Sequence, residues 1–266
     1  MKSKRHFDLS AATLHILAMA FMLCDHLWAT VIPGNQWLTC LGRLAYPIFA
    51  FMIVEGYFHT RNLRRYVLRL FLFAIISEIP FNLMYSASPV YPYHQNVIWT
   101  LLIGIGLIHL NELVRARGKL WLRILTAICS ILVGSISGLL CMVDYNSVGI
   151  ITILVFYFLR DRKWWCLLGQ FAALYYLNIE VLKGLSFEVS FWGMNIMIVQ
   201  QGLALLALLF GCIVAVRGFI VRYSNIFAIS FTRLICCFYS SVQSFCMVKL
   251  QSGNVSQAFP LFLYQN

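Results

Sequence analysis

From Ala11 to Ile32 the chain is apolar at almost every position. As a helix, a run of that length is long enough to cross the roughly 30 Å of hydrocarbon in a bilayer. Seven similar runs follow, at roughly Trp37–Tyr57, Tyr66–Tyr85, Val97–Val114, Trp121–Met142, Val148–Leu159, Trp164–Ile179 and Asn195–Val216. The runs are continuous. The strands of a transmembrane barrel would alternate, so helices are the expected spanning element. The fold class read from the sequence is therefore all-α: a polytopic membrane bundle of eight or nine transmembrane helices in one membrane domain. Composition agrees, because 61% of residues are hydrophobic and only 11% charged. A soluble domain is nearer half apolar and a quarter charged. The first run has no small-residue cleavage site and reads as a span, not a cleaved signal.

The net charge of +11 does not point to nucleic acid. Its basic residues sit in short loops between apolar runs. Lys2, Lys4 and Arg5 lie in the N-terminal tail, and basic clusters follow runs two, four, six and eight, whereas the loops after runs one, three and five carry no Lys or Arg. The loop after run seven is mixed, with Glu180, Lys183 and Glu188, but positive charge on every second loop otherwise predicts a cytoplasmic N-terminus. The nine cysteines are odd in number and form no Cys-x-x-Cys pair. They read as small buried hydrophobes, and no metal site is expected. Gly134 and Gly138 form a Gly-x-x-x-Gly pair that lets one helix approach another closely.

Within this apolar frame a few polar residues stand out, since ionisable groups inside a membrane usually face a protein interior or a wet cavity and carry function. Asp25 and His26 lie in run one, with His26 about six residues, roughly 9 Å, from its outer end. Arg43, Glu78, Asn82, Thr100 and Asp144 fall at the same depth on their own runs or just beyond them, so they converge on the outer half. Each has a plain alternative. His26 reads equally as a hydrogen-bonded core histidine or as a functional one. Adjacent helical residues point about 100° apart, so Asp25 is expected to pair across helices, with Arg43 the obvious partner. Glu78 precedes Pro80 and could take freed backbone or Arg43. Near the inner end, Glu55 is expected to pair with Arg61 or Arg64, and His59 to be solvated. Arg61, Arg64 and Arg65 either set topology or hold the phosphates of a cytoplasmic cofactor. No P-loop, zinc motif, Gly-x-Ser-x-Gly or dinucleotide fingerprint is present.

An ordered set of short motifs carries a resemblance: Met22-Leu23-Cys24-Asp25-His26, Gly42-Arg43-Leu44-Ala45-Tyr46-Pro47, Glu55-Gly56-Tyr57-x-His59-Thr60-Arg61-Asn62, Tyr66-x-x-Arg69-Leu70, Ser77-Glu78-Ile79-Pro80-Phe81-Asn82 and Asn96-Val97-x-x-Thr100-Leu101. Over roughly residues 10–210 the chain resembles the TraX family, named for a conjugation protein implicated in N-terminal acetylation of pilin. It is also similar to multi-pass membrane acyltransferases. The resemblance implies transfer of an acyl group, acetyl above all, from acyl-CoA as co-substrate to an amine or hydroxyl acceptor, a pilin-like protein or envelope component. It implies His26 as general base with Asp25 in the catalytic set, and Arg43, Glu55, Glu78, Asn82 and Thr100 as substrate contacts. Arg61, Arg64 and Arg65 would hold the CoA phosphates. The location implied is the bacterial cytoplasmic membrane, with the lipid bilayer as partner. A transporter or flippase, and a non-catalytic assembly factor for a surface appendage, remain open as other classes.

The resemblance weakens beyond Gly211. The family ends in an aromatic run closing in Phe-Tyr-Pro-x-His, and residues 212–266 have no such ending. Permitted codons for Gly211 to Tyr239, read from the third base of the Gly211 codon, can encode an aromatic segment that includes Tyr-Pro-Ala-His. The expectation is a TraX-like domain over 1–211 followed by a frameshifted tail.

Overall fold

A computed structural model describes residues 11–209 except 33, 87, 162, 192 and 193. The basic N-terminal tail, Pro33 of the first turn, Arg162, the end of run eight and the whole atypical tail lie outside the described residues. Eight α-helices follow one another: α1 (Ala11–Thr30), α2 (Gln36–Gly42), α3 (Ala45–His59), α4 (Leu63–Ser86), α5 (Val97–Arg115), α6 (Leu120–Leu140), α7 (Asn146–Phe158) and α8 (Trp164–Tyr175). Among the described residues five spans are long and apolar enough to cross a membrane: α1, the α2–α3 pair, α4, α5 and α6. These helices mark a membrane protein. The shorter α7 is apolar too.

The α2–α3 pair is the centre of the bundle. It is 78% buried, against 22 to 44% for the other four spans. Run two was expected to be one helix, but it breaks at Arg43 and Leu44. Pro47 has no N–H to give the Arg43 carbonyl, so the hydrogen-bond ladder cannot continue through this point. Helix α1 packs on α2 and α3, and α5, α6 and α7 pack on one another, while α4 leans chiefly on α5. The Gly-x-x-x-Gly pair does bring helices together. Gly134 lies against Ile150, and Gly138 lies against the backbone of Asn146 and Ser147. Among the described cysteines Cys40 and Cys166 are buried, but Cys129 and Cys141 are exposed, so burial does not hold for all; all five are free.

The all-α expectation fails after α8. A π-helical turn over Tyr176–Val181 leads into an antiparallel hairpin, β1 (Ser186–Phe191) with β2 (Met194–Val199), in the register Ser186↔Val199 to Phe191↔Met194. A 3₁₀ helix, Gln200–Leu206, follows. Run eight therefore does not begin as a helix at Asn195. The alternation Phe187-x-Val189-x-Phe191 against Met194-x-Ile196-x-Ile198 has the strand period of two. The base of the hairpin touches α2 where Phe187 meets Trp37 edge-on at 6.0 Å.

Candidate functional site

The ends of α1, α4 and α6 meet the starts of α2, α5 and α7 at one end of the bundle. Asp25 and His26 arrive on α1. Gly42 allows α2 to press on the Asp25 side chain, because a Cβ there would collide with Asp25 Cβ. Thr39, on α2, donates its hydroxyl to Asp25 Oδ1 at 2.7 Å. Arg43 sits at the helix break, 6% exposed, with Nη2 3.7 Å from Asp25 Oδ1 and 3.2 Å from Thr39 Oγ1. The expected Asp25–Arg43 pair is thus formed.

Gln200 completes this knot from the far end of the chain. Its side chain is buried against Thr39. In the amide orientation that satisfies both of its ends, its oxygen accepts from Arg43 Nε at 3.1 Å and Nη2 at 3.2 Å. The Arg43 guanidinium also bonds the Tyr145 hydroxyl, and burial pushes the Tyr145 phenol above its ordinary range. Tyr145 stacks on Tyr46, with ring centroids 4.3 Å apart.

Asp144 precedes Tyr145 in the α6–α7 loop. Its carbonyl accepts from Thr100 Oγ1 at 2.8 Å, its Oδ1 accepts from the Tyr145 N–H at 3.0 Å, and His94 Nε2 lies 3.8 Å away. Burial raises the Asp144 carboxyl above its usual range; His94 and Arg43 pull it back down, and Asp25 adds to the rise.

These groups close one end of a cavity of about 120 Å³. Asp25, His26, Asp144 and Tyr145 line that end. The walls are largely apolar, with Phe49, Met52 and Ile53 from α3, Leu70 and Phe73 from α4 and Leu101 from α5, and the far end is lined by His15 and Tyr66. His15 and His26 are eleven residues apart on one helix, so the cavity extends roughly 16 Å along the bundle. That volume is close to the roughly 150 Å³ of an engineered cavity that accepts benzene, so it suits a short acyl group.

The remaining predicted residues fall elsewhere. Glu78 meets neither Arg43 nor freed backbone: its Oε2 accepts from the Asn96 N–H at 3.3 Å, Asn96 Nδ2 at 2.5 Å and Trp99 Nε1 at 3.0 Å, tying α4 to the start of α5. Asn82 is buried and donates to the Pro89 carbonyl at 3.4 Å. Thr100 is fully buried and reaches the site only by holding the Asp144 carbonyl. None of these three lines the cavity, whereas Ser77 and Asn96 do. Glu55 is at the opposite end of the bundle. It pairs with neither Arg61 nor Arg64; Arg160 bonds it at 2.8 and 3.3 Å and also lies 4.0 Å over the Phe58 ring. His59 is exposed but ends α3 instead of lying in the loop, with its Nδ1 2.8 Å from the Glu55 carbonyl oxygen and 3.5 Å from the Glu55 carboxylate. Arg61, Arg64 and Arg65 are exposed at the start of α4, which Asn62 caps by accepting from the Arg65 N–H at 3.0 Å. Cations there oppose the helix dipole, an arrangement that an anionic partner would relieve. Among the described residues no three His, Cys, Asp or Glu side chains cluster as metal ligands would.

Tyr145 and Gln200 carry no charge and did not stand out in the sequence, while Tyr46 and Asn96 stand in the motifs without a site role assigned to either. Tyr145 was legible only as part of a turn, and Gln200 lay inside an assumed helix.

The fold and site define a polytopic membrane protein with two acids and a histidine at one end of a cavity in the helical bundle, and a buried arginine paired with one of those acids just behind the wall. The family model for the TraX protein matches residues 10–231, and the chain belongs to that family. The match runs past Gly211 into the atypical tail. A probable fimbrial assembly protein FimC, serogroup H1, of Dichelobacter nodosus is 30% identical over 112 residues, 38% of this chain. The aligned region spans 46%, about half, of that relative's length. No solved structure matches.

Proposed function

We propose that this TraX-family chain is an acyltransferase of the bacterial cytoplasmic membrane, with its N-terminus in the cytoplasm. It would move an acetyl or similar acyl group from acyl-CoA to an amine or hydroxyl on a pilin-like or envelope acceptor. Family membership and a relative named for fimbrial assembly fit a pilus-related membrane protein. The observation that carries the transfer reading is the cavity. Tyr66, the residue after Arg64 and Arg65 at the start of α4, lines one end, and Asp25, His26 and Asp144 line the other. A donor whose phosphates rest on Arg61, Arg64 and Arg65 could pass its acyl arm between the apolar walls toward His26. His26 then takes the proton of the acceptor as it attacks. Arg43, held by Asp25, Thr39 and Gln200, does not line the cavity and would act through Asp25, whose carboxylate it fixes in the cavity wall.

The test uses purified protein in vesicles, acetyl-CoA labelled in the acetyl group, and an envelope extract as acceptor. Label should pass to an acceptor with wild type and not with His26→Ala. A second reading, a non-catalytic assembly factor, draws on the relative's name. It predicts that pilus assembly survives loss of both His26 and Arg43. Passage of intact substrate with no transfer would instead support a transporter.

A further inference from the structure

His15 is a buried titratable group in the cavity wall that the transfer chemistry leaves unused. It stands eleven residues before His26 on α1. That spacing is three turns and about 20°, so the two side chains leave the helix on the same face. Both line the cavity, His26 with Asp25 at one end and His15 with Tyr66 at the other. Between the two ends the wall includes Met22, Phe49, Leu70 and Phe73. The His15 ring lies 5.9 Å from the Phe49 ring, tilted by 59°. The chamber is therefore polar at each end and apolar between. A ligand with its phosphates on the arginines at the start of α4 and its reacting carbonyl at His26 must carry its middle past His15 and Tyr66. A hydrocarbon middle gains nothing from an imidazole there and costs it hydrogen bonds with water. An amide-bearing middle does gain. A neutral imidazole offers one donor and one acceptor nitrogen, and a secondary amide offers the complement of that pair. In an apolar wall such a bond is stronger than in water.

We propose that His15 is a donor-binding residue that reads an amide in the arm of the acyl donor, so that the protein prefers thioesters of the pantetheine class to plain alkyl thioesters. This rests on the acyl-transfer reading and gives His15 no part in the bond-making steps. The two histidines of α1 then divide the work: His15 selects the arm, and His26 meets the acceptor.

The test gives purified protein in vesicles, with an envelope extract as acceptor, three donors labelled in the acetyl group. These are acetyl-CoA; acetyl pantetheine, which keeps the amides and lacks the nucleotide; and an S-alkyl thioacetate of the same length with no amide. His15→Leu should raise the KM for both amide-bearing donors about 10-fold, in line with one buried hydrogen bond, and change kcat little. The preference for acetyl pantetheine over the alkyl thioester should fall by the same factor. His15→Gln keeps a donor and an acceptor and should restore most of that preference. The preference is a ratio within one sample, so it does not depend on how much of a variant folds. A preference that survives in His15→Leu, or a fall in kcat alike for all three donors, overturns the assignment and leaves transfer itself in place. Wild type with no preference between the amide and alkyl donors overturns it as well. Wild type that transfers from none of the three overturns the acyl-transfer reading and the His15 assignment together.

Discussion

Replacement of Glu78 by alanine should loosen α4 without touching the chemistry. The carboxylate is a polar tie between α4 and the start of α5, taking three donors on one oxygen. Its other oxygen, Oε1, is buried with no hydrogen-bond partner. A hydrogen bond to a charged group contributes roughly 1.5–3 kcal/mol, and a buried donor left unpaired costs about 1–3 kcal/mol. Full additivity does not apply, because Asn96 Nδ2 keeps the Ala74 carbonyl at 3.0 Å and the carboxylate's own desolvation is relieved. A net loss of about 3 kcal/mol is reasonable for Glu78→Ala, and about 1 kcal/mol for Glu78→Gln, whose amide oxygen can still accept. For a chain of this size that is a fall of roughly 6–12 °C in transition temperature for the alanine variant. The assay is thermal unfolding in detergent, with transfer activity measured on the folded fraction at low temperature. An unchanged transition together with lost activity would refute the reasoning, and Glu78 would return to the set of substrate contacts that the family resemblance implied.

At the opposite end, Arg160→Ala should weaken the link between α3 and α7 by up to about 1 kcal/mol, since the Glu55–Arg160 pair is partly exposed. Arg61→Ala should leave thermal stability unchanged while raising the KM for the acyl donor. Asp144 also sets a pH dependence. An acid whose folded-state pKa is raised binds more protons folded than unfolded, so stability is greatest below its ordinary pKa of 3.8 and falls as pH rises through the raised value. Asp144→Asn should flatten that slope in pH-dependent unfolding. The gene itself should be sequenced across the codons for Leu209 to Tyr239. The frameshift reading expects a Tyr-Pro-x-His ending in the neighbouring frame, and its absence there rejects that reading.

Much of the helical frame was legible because apolar run length is what a bilayer selects. Runs one to six match α1 to α7 to within a few residues, apart from the break in run two. The Asp25–Arg43 pair could be anticipated because few ionisable groups share that depth and opposite charges there must pair. The break at Arg43 was hidden because hydropathy does not register the missing N–H of Pro47. The hairpin was hidden because its strands and the helix-like run beyond them are both apolar, so hydropathy alone does not separate a period of two from one of 3.6. Glu55 was assigned a partner close in sequence, whereas Arg160 is 105 residues away. Gln200 and Tyr145 bear no charge, so nothing in the residue types alone raised them above ordinary core polar groups. Their importance follows from what surrounds Arg43 and Asp144, which only the packing of α2, the α6–α7 corner and the 3₁₀ helix brings together.

The central claim is that one cavity joins an acyl donor bound at the start of α4 to His26 at the other end. Vesicles holding oriented protein and labelled acetyl-CoA on the N-terminal side only, with acceptor on the opposite side only, test it most directly. The account predicts labelled acceptor with wild type, none with His26→Ala, and reduced yield at low donor concentration with Arg64→Ala. Transfer that is undiminished in His26→Ala, or that needs donor and acceptor on the same side, would contradict it.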